Sequence, residues 1–108
     1  MRKDRLEKLA AFLDNLKPEC FDIRSVSNRC GTVCCAIGWM AEVDPKYWRR
    51  YQHDIFPVGM AAENWEDGAE EYFEIERAIV AHIFSPSHYS TPQVLPTEVA
   101  KRIRTCML

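Results

Sequence analysis

The stretch Cys30-Gly31-Thr32-Val33-Cys34-Cys35-Ala36-Ile37-Gly38-Trp39-Met40-Ala41-Glu42-Val43 decides how the fold is read. Nearly all its side chains are small or apolar, and a helix apolar on every side belongs in an interior. Gly31 permits a sharp entry turn. Thr32 then stands where an N-cap would satisfy orphan amide groups. The stretch predicts a buried helix from Val33 to about Val43. Gly38 within it costs about 1 kcal/mol against alanine, so close approach of another backbone is expected there.

On the N-terminal side, Leu6, Leu9, Ala10, Phe12, Leu13 and Leu16 recur at three- and four-residue spacing. That is one face of an amphipathic helix, and Pro18 stops it by disfavouring helical angles at Lys17. Phe21 and Ile23 alternate with polar residues, which allows a short extended piece through Val26. Ser25, Ser27, Asn28 and Arg29 read as a loop. On the C-terminal side, Asp44-Pro45 places Asp at an N-cap and Pro at the first helical position, predicting a short helix through about Tyr51. Residues 53–60 are broken by Pro57 and Gly59, and Ala61 to Trp65 allow one helical turn.

Tyr72, Ile75, Ile79 and Ile83 form a stripe, widened by Phe73, Val80 and Phe84. It predicts a central helix from about Ala69 to Phe84, with Gly68 punctuating its start. Residues 85–96, rich in Ser, Thr and Pro, read as an ordered surface loop. A last helix spans Pro96 to Cys106, with Val99, Ala100, Ile103 and Cys106 inward and Lys101, Arg102 and Arg104 largely outward. The expected fold is mainly all-α: a single compact irregular bundle of about five helices over residues 1–108. A minor hairpin near 21–29 or 53–60 is the most β structure allowed.

The totals limit the function. The 108 residues are 47% hydrophobic and 28% charged, an ordinary globular composition for one domain. A net charge of -2 provides no global basic field, so nucleic-acid binding is not expected. Lys46/Arg49/Arg50 and Lys101/Arg102/Arg104 are small basic clusters without a nucleic-acid motif. No apolar run approaches the ~18 residues that span a bilayer. The N-terminus is charged and amphipathic, unlike a signal region. These features lead to the expectation of a cytoplasmic protein without a membrane partner. No phosphate-cradling glycine loop, HExxH, paired catalytic carboxylates or nucleotide fingerprint occurs, and with four glycines in the chain that absence weighs against nucleotide chemistry.

Cys20, Cys30, Cys34, Cys35 and Cys106 are odd in number and lack a secretion signal, so free thiols or a metal site are expected rather than disulfides. Packing of small, soft side chains is the first reading of the cysteine segment. A structural zinc site would use Cys30 and Cys34 with Cys20, His53, His82 or His88, although no CxxC pair exists. A nucleophilic thiol at a helix entrance is a further alternative. Yet Cys-Gly-Thr-Val-Cys-Cys departs from the papain-like Cys-Gly-Ser-Cys-Trp by an inserted residue, and the chain is too short for a second lobe. A Cys30/Cys34 redox switch is also open. His82 on its helix reads first as a core or boundary residue. His88 and Tyr89 sit in a loop, where binding residues gather. The pair His53-Asp54 is weak as a catalytic signal.

Charge distribution says more. Glu63, Glu66, Asp67, Glu70, Glu71, Glu74 and Glu76 place seven of the sixteen acids within positions 63–76, interleaved with Trp65, Tyr72 and Phe73. At helical spacing Glu66, Glu70 and Glu74 share a face, where like charges oppose the helix slightly. A solvated helix face is the plain reading. The sharper one is an acidic-aromatic surface of Glu63, Trp65, Glu66, Glu70, Tyr72 and Glu74 that docks a basic host protein.

Cys30-Gly31-Thr32-Val33-Cys34-Cys35-Ala36-Ile37-Gly38-Trp39, following a leucine-rich helix, resembles a group of small bacterial and phage-encoded proteins with Cys-Gly-Thr-x-x-Cys-x-x-Gly-Trp/His. Ile83-Phe84-Ser85-Pro86 is similar to their Leu/Ile-Phe-x-Pro. Residues Pro96-Thr97-Glu98-Val99-Ala100-Lys101-Arg102-Ile103 are similar to their C-terminal pattern. The resemblance implies a compact helical fold and a phage origin, and assigns no reaction.

Overall fold

The computed structural model describes residues 1–25, 33–91 and 93–108. Its helices are α1 (Lys3–Asp14), α2 (Met40–Val43), α3 (Trp65–Phe73), α4 (Arg77–Phe84) and α5 (Pro96–Cys106). One antiparallel hairpin, β1 (Trp48–Tyr51) and β2 (Asp54–Pro57), stands among them. The fold is mainly α with a minor hairpin, in line with the patterning. No helix among the described residues is long and apolar enough to cross a membrane.

The terminal helices follow their apolar stripes. Leu6, Leu9, Ala10 and Leu13 of α1 are fully buried, as are Val99, Ala100 and Ile103 of α5. The α1–α5 packing is the most extensive helix contact in the molecule. Each buried leucine or isoleucine contributes about 1.5–3 kcal/mol of transfer free energy. Pro96 opens α5, and the Glu98 carboxylate reaches back to the Leu95 N–H at 3.3 Å. Pro supplies a preset φ there, and Glu fills an orphan donor.

The buried helix expected from Val33 begins only at Met40. Before it, Cys34 forms an isolated parallel bridge with Phe21, and residues 36–39 turn. The reason is competition for backbone groups. Cys34 N–H donates to Cys20 O at 3.2 Å, Asp22 N–H to Cys34 O at 3.2 Å, and Cys35 N–H to Ser25 O at 2.6 Å. The Cys34 carbonyl, which a helix from Val33 would need for its ladder, is thereby taken, and the first amide groups, orphans in such a helix, find partners outside it. The segment is nonetheless interior, with Cys34 through Gly38 buried. Cys30, Gly31 and the proposed Thr32 cap lie outside the described residues, as do Val26 through Arg29.

The helix expected at Pro45–Tyr51 is replaced by the hairpin. Asp44 closes α2, and its carbonyl accepts from Tyr47 and Trp48 N–H, making a turn. Trp48 and Ile55 point inward, whereas Arg49, Tyr51 and Phe56 point outward, the two-residue period of a half-buried sheet. Tyr51 pairs with Asp54 across a Gln52-His53 connection, with Gln52 at φ 55°. A glycine is the usual occupant of such a position.

The single helix expected over 69–84 is two helices. Glu74 takes the left-handed conformation (φ 53°, ψ 56°) and ends α3, and α4 restarts at Arg77. The start of α3 is Trp65, with Asn64 as the N-cap: its Oδ1 accepts from Asp67 N–H at 2.9 Å. Residues 61–64 form no helical turn. Gly68 is therefore interior to α3, not its boundary. A Cβ placed there would lie 2.9 Å from Pro57 Cβ and 3.1 Å from Trp48 Cη2, so β2 and the tryptophan seat directly on this glycine. Edge-on rings continue inward from it: Trp48 on Tyr72 (5.7 Å) and Tyr72 on Phe73 (4.8 Å).

Candidate functional site

Helix α3 positions the acidic residues. With Asn64 fixing its start, Gly68, Ala69, Tyr72 and Phe73 face the core, while Glu66, Asp67 and Glu71 face solvent. The left-handed Glu74 turns the chain so that Arg77, at the start of α4, comes back over the α3 surface. Its guanidinium meets Glu66 at 3.5 Å and Glu70 at 2.8 Å, and forms a close pair with Asp67. The Glu70 hydrogen bond, followed by the charges of Glu70, Asp67 and Glu66, raises the Arg77 pKa further. All four groups remain solvated, so each pair contributes little to stability. Their effect is positional: one cation gathers three carboxylates into a fixed array.

The remaining acids surround this array. Glu63, Glu74 and Glu76 are exposed. Glu71 is exposed too, and accepts from Ala61 N–H at 3.1 Å. Glu74 lies 4.0 Å from the Arg2 guanidinium. Residues 63–77 thus hold seven carboxylates and one arginine, a formal -6, against +4 for the rest of a chain whose sum is -2. The like-charge strain expected along Glu66, Glu70 and Glu74 is relieved by Arg77 for the first two and by the helix ending for the third.

The aromatic members divide. Trp65 is half-buried, edge-on to Phe84 at 6.3 Å, and stays at the margin of the acidic face. Tyr72 is only 1% exposed and cannot touch a docked protein. Its hydroxyl donates to Asp44 Oδ2 at 2.6 Å, and Arg5 stacks 4.3 Å over its ring while donating to its carbonyl at 2.8 Å. Burial first, then the Asp44 hydrogen bond, pushes its phenol pKa up. Its place in the stripe assigned it to the core as readily as to a surface.

The metal candidates are not assembled among the described residues: no group of three or more His, Cys, Asp and Glu side chains stands ready to share an ion there. Cys30 lies outside those residues. Cys34 is buried, with the Arg50 guanidinium Nη1 2.7 Å from its sulfur. Arg50 also reaches Glu42 at 2.9 Å and covers the Trp39 ring at 5.3 Å. A cation therefore already faces this sulfur. His82 is elsewhere, on α4 beside His88 and Arg102. Burial pushes the Cys35 thiol up to about 11, which keeps it protonated at neutral pH.

Two arginines missed by the sequence reading organise these surfaces. Arg77 was one cation beside seven acids, and nothing in spacing marked it as their shared partner. Arg102 was counted with Lys101 and Arg104 as one basic cluster. Arg104 instead pairs with Glu7 (3.1 Å) and Asp14 (2.7 Å) of α1, and Arg102 turns the other way. Compared with known proteins, the chain matches no family model, no curated protein and no solved structure.

Proposed function

We infer that the protein is a non-enzymatic, phage-encoded interaction protein that docks a basic surface of a host protein on the acidic face of α3. The phage origin rests on the cysteine-string resemblance. The observation that carries the docking reading is charge polarity: a formal -6 over residues 63–77 in a chain of net -2. Glu63, Glu66, Asp67, Glu70 and Glu74 make up the face, with Trp65 at its edge. The Arg77 clamp supports the reading because carboxylates already held in place lose less freedom on binding. Such a face acts mainly by steering encounter and rejecting acidic partners, and it weakens as salt screens it.

The test is affinity capture from host lysate with wild type and a Glu66→Lys/Glu70→Lys/Glu74→Lys variant, its fold checked by circular dichroism. A specific partner is expected on the wild type, lost on the variant and released by moderate salt. Equal recovery by both proteins defeats the assignment.

A further inference from the structure

We propose that the cleft between α4 and α5 binds a small phosphate monoester, with Arg102 and Lys101 meeting the phosphate and Glu98 meeting a ligand hydroxyl. This site is separate from the acidic face and stands without it. The cleft encloses about 370 Å³ and is lined by His82, Tyr89, Glu98, Lys101, Arg102 and Thr105. That volume lies at the lower end for small-molecule pockets.

Arg102 is the centre of the argument. Its guanidinium lies 3.7 Å over the Tyr89 ring. Its Nη1 donates to two carbonyls, His82 O at 2.9 Å and His88 O at 2.7 Å, which uses both hydrogens of that nitrogen. Tyr89 is fixed in turn, its hydroxyl donating to Ile83 O at 2.6 Å. The fork is thereby held in one plane, yet it forms no ion pair with a carboxylate among the described residues. Glu98 stands one helical turn before Arg102, the spacing of a favourable pair. That pair is not made. Glu98 Oε1 accepts from the Leu95 N–H instead, and the side chain lines the cleft.

A braced guanidinium whose charge no carboxylate pairs with among the described residues is the kind of group that recognises phosphate oxygens. Lys101, exposed on the same wall, adds a second cation. Burial, then Arg102, then the neighbouring His88 lower the His82 pKa. The two imidazole rings stand 6.4 Å apart, edge to face, at the cleft margin.

The experiment is a 1H–15N titration of the full chain with inorganic phosphate and, separately, with ribose 5-phosphate. Saturable shifts are expected at residues 82, 88, 101, 102 and 105, with ribose 5-phosphate several-fold tighter through its hydroxyls. Arg102→Gln should weaken binding at least about tenfold, the scale of a charged hydrogen bond. Because that change also frees the carbonyls of His82 and His88, Lys101→Gln is the second variant. Its side chain is exposed, and it should weaken binding about three- to fivefold with an unchanged spectrum elsewhere. Non-saturating shifts, equal affinity for the two ligands, or indifference to Lys101→Gln would each overturn the proposal.

Discussion

Gly68→Ala separates helix propensity from packing, because the two predict opposite signs. Gly68 is the fourth residue of α3, a helix of 9 residues. By propensity alone, alanine there gains about 1 kcal/mol. The added methyl, however, would sit 2.9 Å from Pro57 Cβ, 3.1 Å from Pro57 Cγ and 3.1 Å from Trp48 Cη2. None of these is the free end of a flexible chain. The proline ring is rigid, and Trp48 is 1% exposed and hemmed in by Tyr72. Relief requires moving β2 away from α3. Forcing an extra carbon into a packed core costs about 1–3 kcal/mol. The net expectation is a loss of about 1 kcal/mol, or roughly 4–8 °C in Tm for a domain of this size. Urea titration followed by far-UV circular dichroism measures it, with thermal melting as a check. A stabilised variant would refute the packing argument and return Gly68 to the role of a helix defect.

Tyr72→Phe keeps the ring and removes the 2.6 Å donation to Asp44. A hydrogen bond to a charged group contributes about 1.5–3 kcal/mol, and half-buried Asp44 recovers some water, so a loss near the lower end is expected in the same urea assay. A change below half that value would mean that the bond is replaced at no cost. Alkaline pH should also destabilise the protein. Tyr89 is pushed up to about 12 from 10.0, and Cys35 to about 11 from 9.0, both first by burial. The unfolded chain therefore loses these protons earlier, so their contribution is intact below about pH 9 and disappears as pH rises through 9–12. A urea midpoint that is flat or rising between pH 8 and 11 would contradict this sign.

The sequence was legible where one periodic stripe met one partner. In α1, Leu6, Leu9 and Leu13 lie along one line, and α5 offers Val99 and Ile103 opposite; neither helix has a competing use for its backbone. The reading failed where local signals were shared by two structures. Asp44-Pro45 begins a helix or a turn equally well. What decides for the turn is Trp48, whose burial with Ile55 needs the two-residue period. The hairpin also lacks the Asn-Gly or Gly-x flag, since Gln52 takes the positive φ. At Glu74 the Ile75 stripe ran on through a break that no glycine announces. The start of α3 is written in Asn64-x-x-Asp67, a capping pattern, while Gly68, a common helix boundary, lies inside the helix. The acidic residues of the candidate face were legible from composition, because exposure is the default for glutamate. Tyr72 was not, because an aromatic at core spacing is indistinguishable from one at the edge until its neighbours are known.

The arginines divide the surface into its two candidate sites by their choice of partner. Exposed ion pairs are screened by solvent, so Arg77 and Arg104 add little to stability. They fix where charge is left over. Arg77 joins three carboxylates, so the group keeps two negative charges and holds them in place. Arg104 is spent on Glu7 and Asp14, tying α5 to α1. Arg102 gives the hydrogens of Nη1 to neutral carbonyls, which brace the guanidinium but cancel none of its charge. The same side chain thus produces an ordered anionic face on α3 and an ordered cationic cleft beside α5. Exchanging the two partner sets would erase both surfaces while leaving the net charge of the chain unchanged.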